Sequence, residues 1–228
     1  MPADLRLIED ASLEALAHAV ARRIATAIRA RGRALIAVSG GKSPAALFDR
    51  LAGEALDWGK VVVAQVDERW VDHADPASNS RLVREHLLKD RAAAARFVPM
   101  WNGAPSAAEG QPACEAALRE LPRPFDFMLL GMGEDGHTAS LFPHAPELAH
   151  ALATEQLCAA ATATVAPHER MTLTLAGLTD SRLLILSIAG AAKKKVLATA
   201  MAAGPVEEMP VRAILRQEEA PVELWLSD

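Results

Sequence analysis

Leu13, Leu16, Val20, Ile24 and Ile28 recur at steps of three and four residues, the spacing that stacks side chains on one face of a helix. Asp10-Ala11-Ser12 offers a start signal for that helix and Gly32 a stop. The pattern then changes. Ala34-Leu35-Ile36-Ala37-Val38 is a short apolar run without polar alternation, which suits a strand covered on both faces. Similar runs follow at Val61–Val66, Phe125–Leu130 and Leu183–Ile188, and Val222-Glu223-Leu224-Trp225-Leu226 predicts a last strand. Helix-compatible stretches lie between them at Pro44–Leu51, Asn79–Leu88, Ala107–Glu120 and Ala192–Ala200. Strands alternating with helices predict an α/β fold, with a largely parallel sheet and helices on both faces. The Pro- and Gly-bearing clusters at Asn102–Pro112 and Met201–Pro210 read as loops, so residues 1–228 are expected to form one domain.

Composition narrows the class. Of the 228 residues, 51% are hydrophobic and 23% charged, as in an ordinary globular protein. The only cysteines, Cys114 and Cys158, are too few for a stapled secreted scaffold, and no signal peptide or membrane-spanning run is visible. A cytoplasmic enzyme without a membrane partner, monomeric or a small homo-oligomer, is the expectation. The net charge of −5 argues against nucleic acid as a general partner. An anionic ligand would have to be held by particular Lys, Arg or backbone N–H groups.

In an open α/β sheet ligands lie beyond the carboxyl ends of the strands. Four segments fall there: Ser39-Gly40-Gly41-Lys42-Ser43-Pro44, Asp67-Glu68-Arg69-Trp70, Gly131-Met132-Gly133-Glu134-Asp135-Gly136-His137, and Gly190 with Lys193-Lys194-Lys195. In the first, glycines permit close backbone approach and Pro44 suits the first position of a helix, whose free N–H groups would donate to a phosphate. A tight strand-to-helix turn without a ligand is the plainer reading. The third segment brackets Asp135 and His137 with three glycines. Imidazole ionises near pH 6.5, about where a general base is useful. His137 is therefore the candidate base, Asp135 a candidate for orienting its ring, and Thr138 and Ser140 further hydrogen-bonding groups. The plainer reading has His137 capping a following helix. Arg69 either meets the anion or pairs with Asp67 and Asp72; Arg170 faces either the rim or solvent. His144 invites a metal hypothesis, but no matching ligand spacing supports it and no metal is expected.

Taken together, SGGKSP, DERWV with Ser78-Asn79, GMGEDGHTASLFP over residues 131–143, RMTLT and the lysine after Gly190 resemble the 6-phosphogluconolactonases in content and order, across roughly residues 34–195. The GMGEDGHTASLFP block is the specific part. The resemblance implies a Rossmann-like three-layer sandwich, no cofactor, and hydrolysis of a sugar phosphate lactone, 6-phospho-D-glucono-1,5-lactone, in the oxidative pentose phosphate pathway. It also implies His137 as general base, with Asp135 beside it and Arg69 near the reacting lactone. Ser39, Gly40, Gly41, Arg170 and Lys193 fall at phosphate-contacting positions, with Lys42 and Ser43 in the same loop. His144 stands where glycine is common. The related aminosugar-phosphate isomerases/deaminases resemble this chain but carry an Asn-Glu pair where Leu141-Phe142 stands, and phenylalanine transfers no proton. A sugar-phosphate-sensing domain without catalysis is a further alternative, one that leaves His137 unused.

Overall fold

The computed structural model describes residues 4–227, with Lys42 and Ser43 described through their backbone alone. The chain runs through β1 (Leu5–Ile8), α1 (Leu13–Arg31), β2 (Ala34–Val38) and α2 (Lys42–Ala52). It continues with β3 (Val61–Gln65), β4 (Asp67–Arg69), α3 (Asn79–His86), β5 (Arg96–Val98) and α4 (Ala107–Arg119). Then come β6 (Phe127–Leu130), α5 (Leu148–Ala153), β7 (Cys158–Thr162), β8 (Glu169–Leu173) and α6 (Leu175–Thr179). The last elements are β9 (Leu184–Ala189), α7 (Ala191–Met201), α8 (Val211–Arg216) and β10 (Val222–Ser227).

A seven-stranded sheet in the order β1-β10-β9-β6-β2-β3-β5 forms the middle layer, with every neighbouring pair parallel. Alternate residues of its strands enter different cores, as a period of two requires. Ala34, Ile36 and Val38 pack with Val20 and Ile24 of α1, Phe48 of α2 and Val83 of α3. Leu35 and Ala37 instead join Leu118 of α4, Leu197 of α7 and Ile214 of α8. This two-sided burial is why the strand sequences read as unbroken apolar runs. The expected three-layer α/β sandwich is therefore observed. Gly32 ends α1 in the left-handed region, at φ 73°, as its position suggested. Among the described residues no helix is long and apolar enough to cross a membrane.

Several expectations need correction. The polar residues after β3 are not simply a loop: β4 pairs antiparallel with β8, and β8 with β7, in a second sheet of three strands. Arg170 lies within β8. Pro44 occupies the third position of α2, not the first, still within the turn whose N–H groups have no partner in the helix. Asn102–Pro112 is a loop only as far as Ser106. There the Ser106 hydroxyl accepts from Glu109 N–H and donates to the Glu109 carboxylate, a reciprocal cap that starts α4 with Pro112 inside it. The short strands β1, β5 and β7 carry too little periodicity to announce themselves.

The turn from β4 into α3 is organised by one carboxylate. Glu68 is wholly buried and accepts from the backbone N–H groups of Arg69 (2.8 Å), Asn79 (2.6 Å) and Ser80 (2.7 Å). It accepts also from the Gln65 amide at 2.9 Å and the Ser78 hydroxyl at 3.2 Å. Removing the acceptor strands several buried donors at once, at a cost on the order of 1–3 kcal/mol each before relaxation. Glu68→Ala is expected to lower the urea midpoint of unfolding by about 1 M or more; an unchanged midpoint would show that water replaces the carboxylate without penalty.

Candidate active site

The parallel strands deliver their following loops to one rim, and a cleft of about 250 Å³ opens there. Ser39, Gly40 and Gly41 line it from the end of β2, Asp67 and Arg69 from β4, and Gly131 to Gly133 with His137 from the loop after β6. Of the three consecutive lysines, Lys193 borders the cleft. Four segments predicted to converge are thus found on one surface. The side chains of Lys42 and Ser43 lie outside the described residues.

The loop after β6 is shaped by its glycines in two different ways. Gly136 takes φ 81°, a left-handed turn that returns the chain toward β6. Gly133 is required for space: a β-carbon there would stand 2.2 Å from His137 Nδ1 and 2.5 Å from Asp135 Oδ1. Into that space fits a hydrogen bond of 2.6 Å between Asp135 Oδ1 and His137 Nδ1. The same carboxylate oxygen accepts from the His137 backbone N–H at 3.1 Å. Partial burial opposes ionisation of Asp135, but the hydrogen bonds and charge of His137 outweigh it and hold the carboxyl below its ordinary range. An ionised carboxylate only accepts, so Nδ1 carries a proton, and in the neutral ring Nε2 then holds the lone pair. No helix follows His137 until α5 begins at Leu148, so a helix-capping role is excluded. The ring packs instead on Phe142, with centroids 4.7 Å apart.

Two arginines of the small sheet lie at or near the site. Arg69 and Arg170 are register partners across β4 and β8, where like charges directly opposite repel. Arg69 is oriented by donating Nη1–H to the carbonyl of Ala77 at 2.6 Å. Arg170 is only 7% exposed, and its Nε and Nη1 find no acceptor among the described residues. Burial, reinforced by the Arg69 charge, pulls its guanidinium below the ordinary range despite the nearby carboxylates Asp67 and Glu68. Its guanidinium carbon lies 6.0 Å from the Phe142 ring centre, and it is not among the residues bordering the cleft. Arg170 is therefore turned inward rather than toward solvent, beside Arg69 but off the cleft surface. Two helix starts add positive potential. Gly41 and Gly190, at φ 107° and 86°, precede α2 and α7, and no side chain caps either N-terminus.

The comparisons with known proteins bear on this geometry. Residues 8–224 match the family described as glucosamine-6-phosphate isomerases/6-phosphogluconolactonase. The chain belongs to this family. A 6-phosphogluconolactonase of Rhizobium meliloti is 44% identical over 229 residues, covering 99% of both chains. One from Pseudomonas aeruginosa is 43% identical over 88% of this chain and 85% of its own. The crystal structure of a 6-phosphogluconolactonase from Shewanella baltica superposes with a TM-score of 0.94 at 40% identity, covering 99% of this chain and 97% of that one.

Within this family member, sequence reasoning missed the polar floor of the cleft. Asp67 accepts from the Ser140 hydroxyl at 2.7 Å, and Asn79 donates to the Asp67 carbonyl at 3.0 Å. The clue was present in the Asp67-Glu68-Arg69 and Ser78-Asn79 motifs, but the side-chain pairing needed the fold. His144 adopts φ 57°, the left-handed region that favours glycine, and donates its N–H to the Glu207 carbonyl. Among the described residues no group of three His, Cys, Asp or Glu side chains is placed to hold a metal, and His144 joins no such group.

Asp67 generates a pH prediction. Burial, only partly countered by Ser140 and the arginines, pushes its carboxyl above the ordinary carboxylate range. A raised folded-state pKa means that its contribution to stability is present at low pH and is lost as pH rises through the folded value. Thermal unfolding of Asp67→Asn from roughly pH 4 to 8 should show the variant gaining on the parent as pH rises. A widening deficit would mean that the charged form is favoured in the fold.

Proposed function

We propose that this protein hydrolyses 6-phospho-D-glucono-1,5-lactone to 6-phospho-D-gluconate, with His137 as the general base. The observation carrying the reading is the Asp135–His137 hydrogen bond, which fixes Nε2 as the basic nitrogen at a cleft shared with Arg69. The relatives bearing the name 6-phosphogluconolactonase support the substrate. In the proposed step, Nε2 takes a proton from water as its oxygen attacks the lactone carbonyl carbon. The carbonyl π electrons move onto oxygen, where Arg69 or backbone N–H groups balance the charge; one such donor is typically worth about 3 kcal/mol. Collapse of the tetrahedral intermediate breaks the bond from the carbonyl carbon to the ring oxygen. The imidazolium returns its proton to that oxygen, giving the hydroxyl and the acid.

The phosphate is assigned to the Ser39–Gly41 turn, the start of α2 and Lys193, with Arg170 reinforcing the field from behind. Placement in the oxidative pentose phosphate pathway, in the cytoplasm, follows from that substrate. A single domain, monomeric or in a small homo-oligomer and acting without cofactor, is part of the same proposal. Aminosugar-phosphate isomerisation is disfavoured because Phe142, 9% exposed and packed on His137, has no proton to give. Release of ammonia from glucosamine 6-phosphate would reverse that preference.

His137→Ala is expected to cut turnover of freshly generated lactone by roughly a hundredfold to ten-thousandfold once spontaneous opening is subtracted. Binding of 6-phosphogluconate should stay within about threefold of the parent, because the base contributes to the reaction more than to holding the phosphate. Turnover near the parental rate would remove His137 from the reaction.

A further inference from the structure

Asn79 is 2% exposed, yet it borders the cleft. Its backbone is fixed by the bond from its N–H to Glu68, and Ser78 caps the helix it begins. Its amide nitrogen donates to the Asp67 carbonyl at 3.0 Å and approaches the Asp67 carboxylate at 3.4 Å. Turning the amide over would set its oxygen against the Asp67 carbonyl, acceptor against acceptor, so the orientation is determined. Asn79 Oδ1 is thereby left facing the first loop. It finds no donor among the described residues, and a β-carbon on Gly40 would lie 1.8 Å from it. Gly40 is thus required for space, unlike its neighbour Gly41, whose φ of 107° demands glycine on backbone grounds.

We propose that Asn79 is a positioning residue. Its carboxamide locks the Ser39–Gly41 turn to β4 and so sets the distance between the phosphate cradle and Arg69. The inference rests on the functional reading above, since it presumes that the turn holds the substrate's phosphate. A buried acceptor without a donor is retained at a cost. Here it sits where the turn after β2 meets the start of α3, beside two segments that must hold opposite ends of the substrate. Loosening that contact should weaken phosphate binding first and leave the base at His137 in place.

The test combines Asn79→Ala, Gly40→Ala and the double variant, with inorganic phosphate and 6-phosphogluconate as calorimetric probes and steady-state lactone hydrolysis alongside. Asn79→Ala should weaken both ligands and raise KM by about tenfold, the effect of losing one good contact, while kcat changes less than about threefold. Gly40→Ala should be at least as weak, because its methyl group collides with the amide. In the double variant the collision is gone, so the affinity should return to that of Asn79→Ala alone. Parental affinity in Asn79→Ala, a loss confined to kcat, or losses that multiply in the double variant would each overturn the proposal. If Asn79→Ala fails to fold, Asn79→Ser replaces it in the same cycle with the same criteria. A parent that binds phosphate but leaves the lactone intact would sink the functional reading while this one stood. An active parent indifferent to Asn79 would do the reverse.

Discussion

A hydrogen bond of 2.6 Å joins Asp135 to His137 Nδ1, and it can exist only because residue 133 has no side chain. The loop after β6 is bent by Gly136 until the carboxylate and the ring, two residues apart, face one another. The carboxylate then decides which ring nitrogen carries the proton. Phe142 supports the ring from another side. The tautomer and orientation of the His137 ring thus follow from local backbone shape, before any contact with the rest of the cleft.

The rest of the cleft supplies charge. Because the central strands all run one way, the loops from β2, β6 and β9 reach the same rim, and β4 adds its residues from the second sheet. Two uncapped helix starts, Lys193 and a cross-strand pair of arginines gather positive potential in a chain whose net charge is −5. Arg170 keeps buried N–H groups that find no acceptor among the described residues, and Asp67 is a carboxyl that burial disfavours as an anion. Groups held in such unfavourable states gather where a ligand is to be met, which fits a site prepared for an anion.

Much of this was legible in the sequence. The apolar runs at Ala34–Val38 and Leu183–Ile188 announced strands buried on both faces, and the rim loops were identified by their glycines and charges. His137, Asp135 and Arg69 were singled out before the fold was known. What escaped was the second sheet, because β4 spans only Asp67–Arg69 and its polar residues have no strand-like period. Arg170 carries two readings in the sequence, and only its burial in β8 shows that it turns inward. Asn79 and Gly40 showed nothing of their contact, since it joins segments far apart in the chain through an approach that only coordinates reveal.

The central claim is that Asp135 fixes the proton on Nδ1 of His137 and leaves Nε2 as the base. Nitrogen-15 NMR of histidine-labelled protein at mildly alkaline pH reads this directly, through the two-bond couplings between ring carbon-bound protons and each nitrogen. The account predicts a protonated, pyrrole-like Nδ1 and an unprotonated, pyridine-like Nε2 for His137, with that preference weakened in Asp135→Asn. A His137 ring protonated on Nε2, or one whose tautomer ignores the Asp135 substitution, would contradict it.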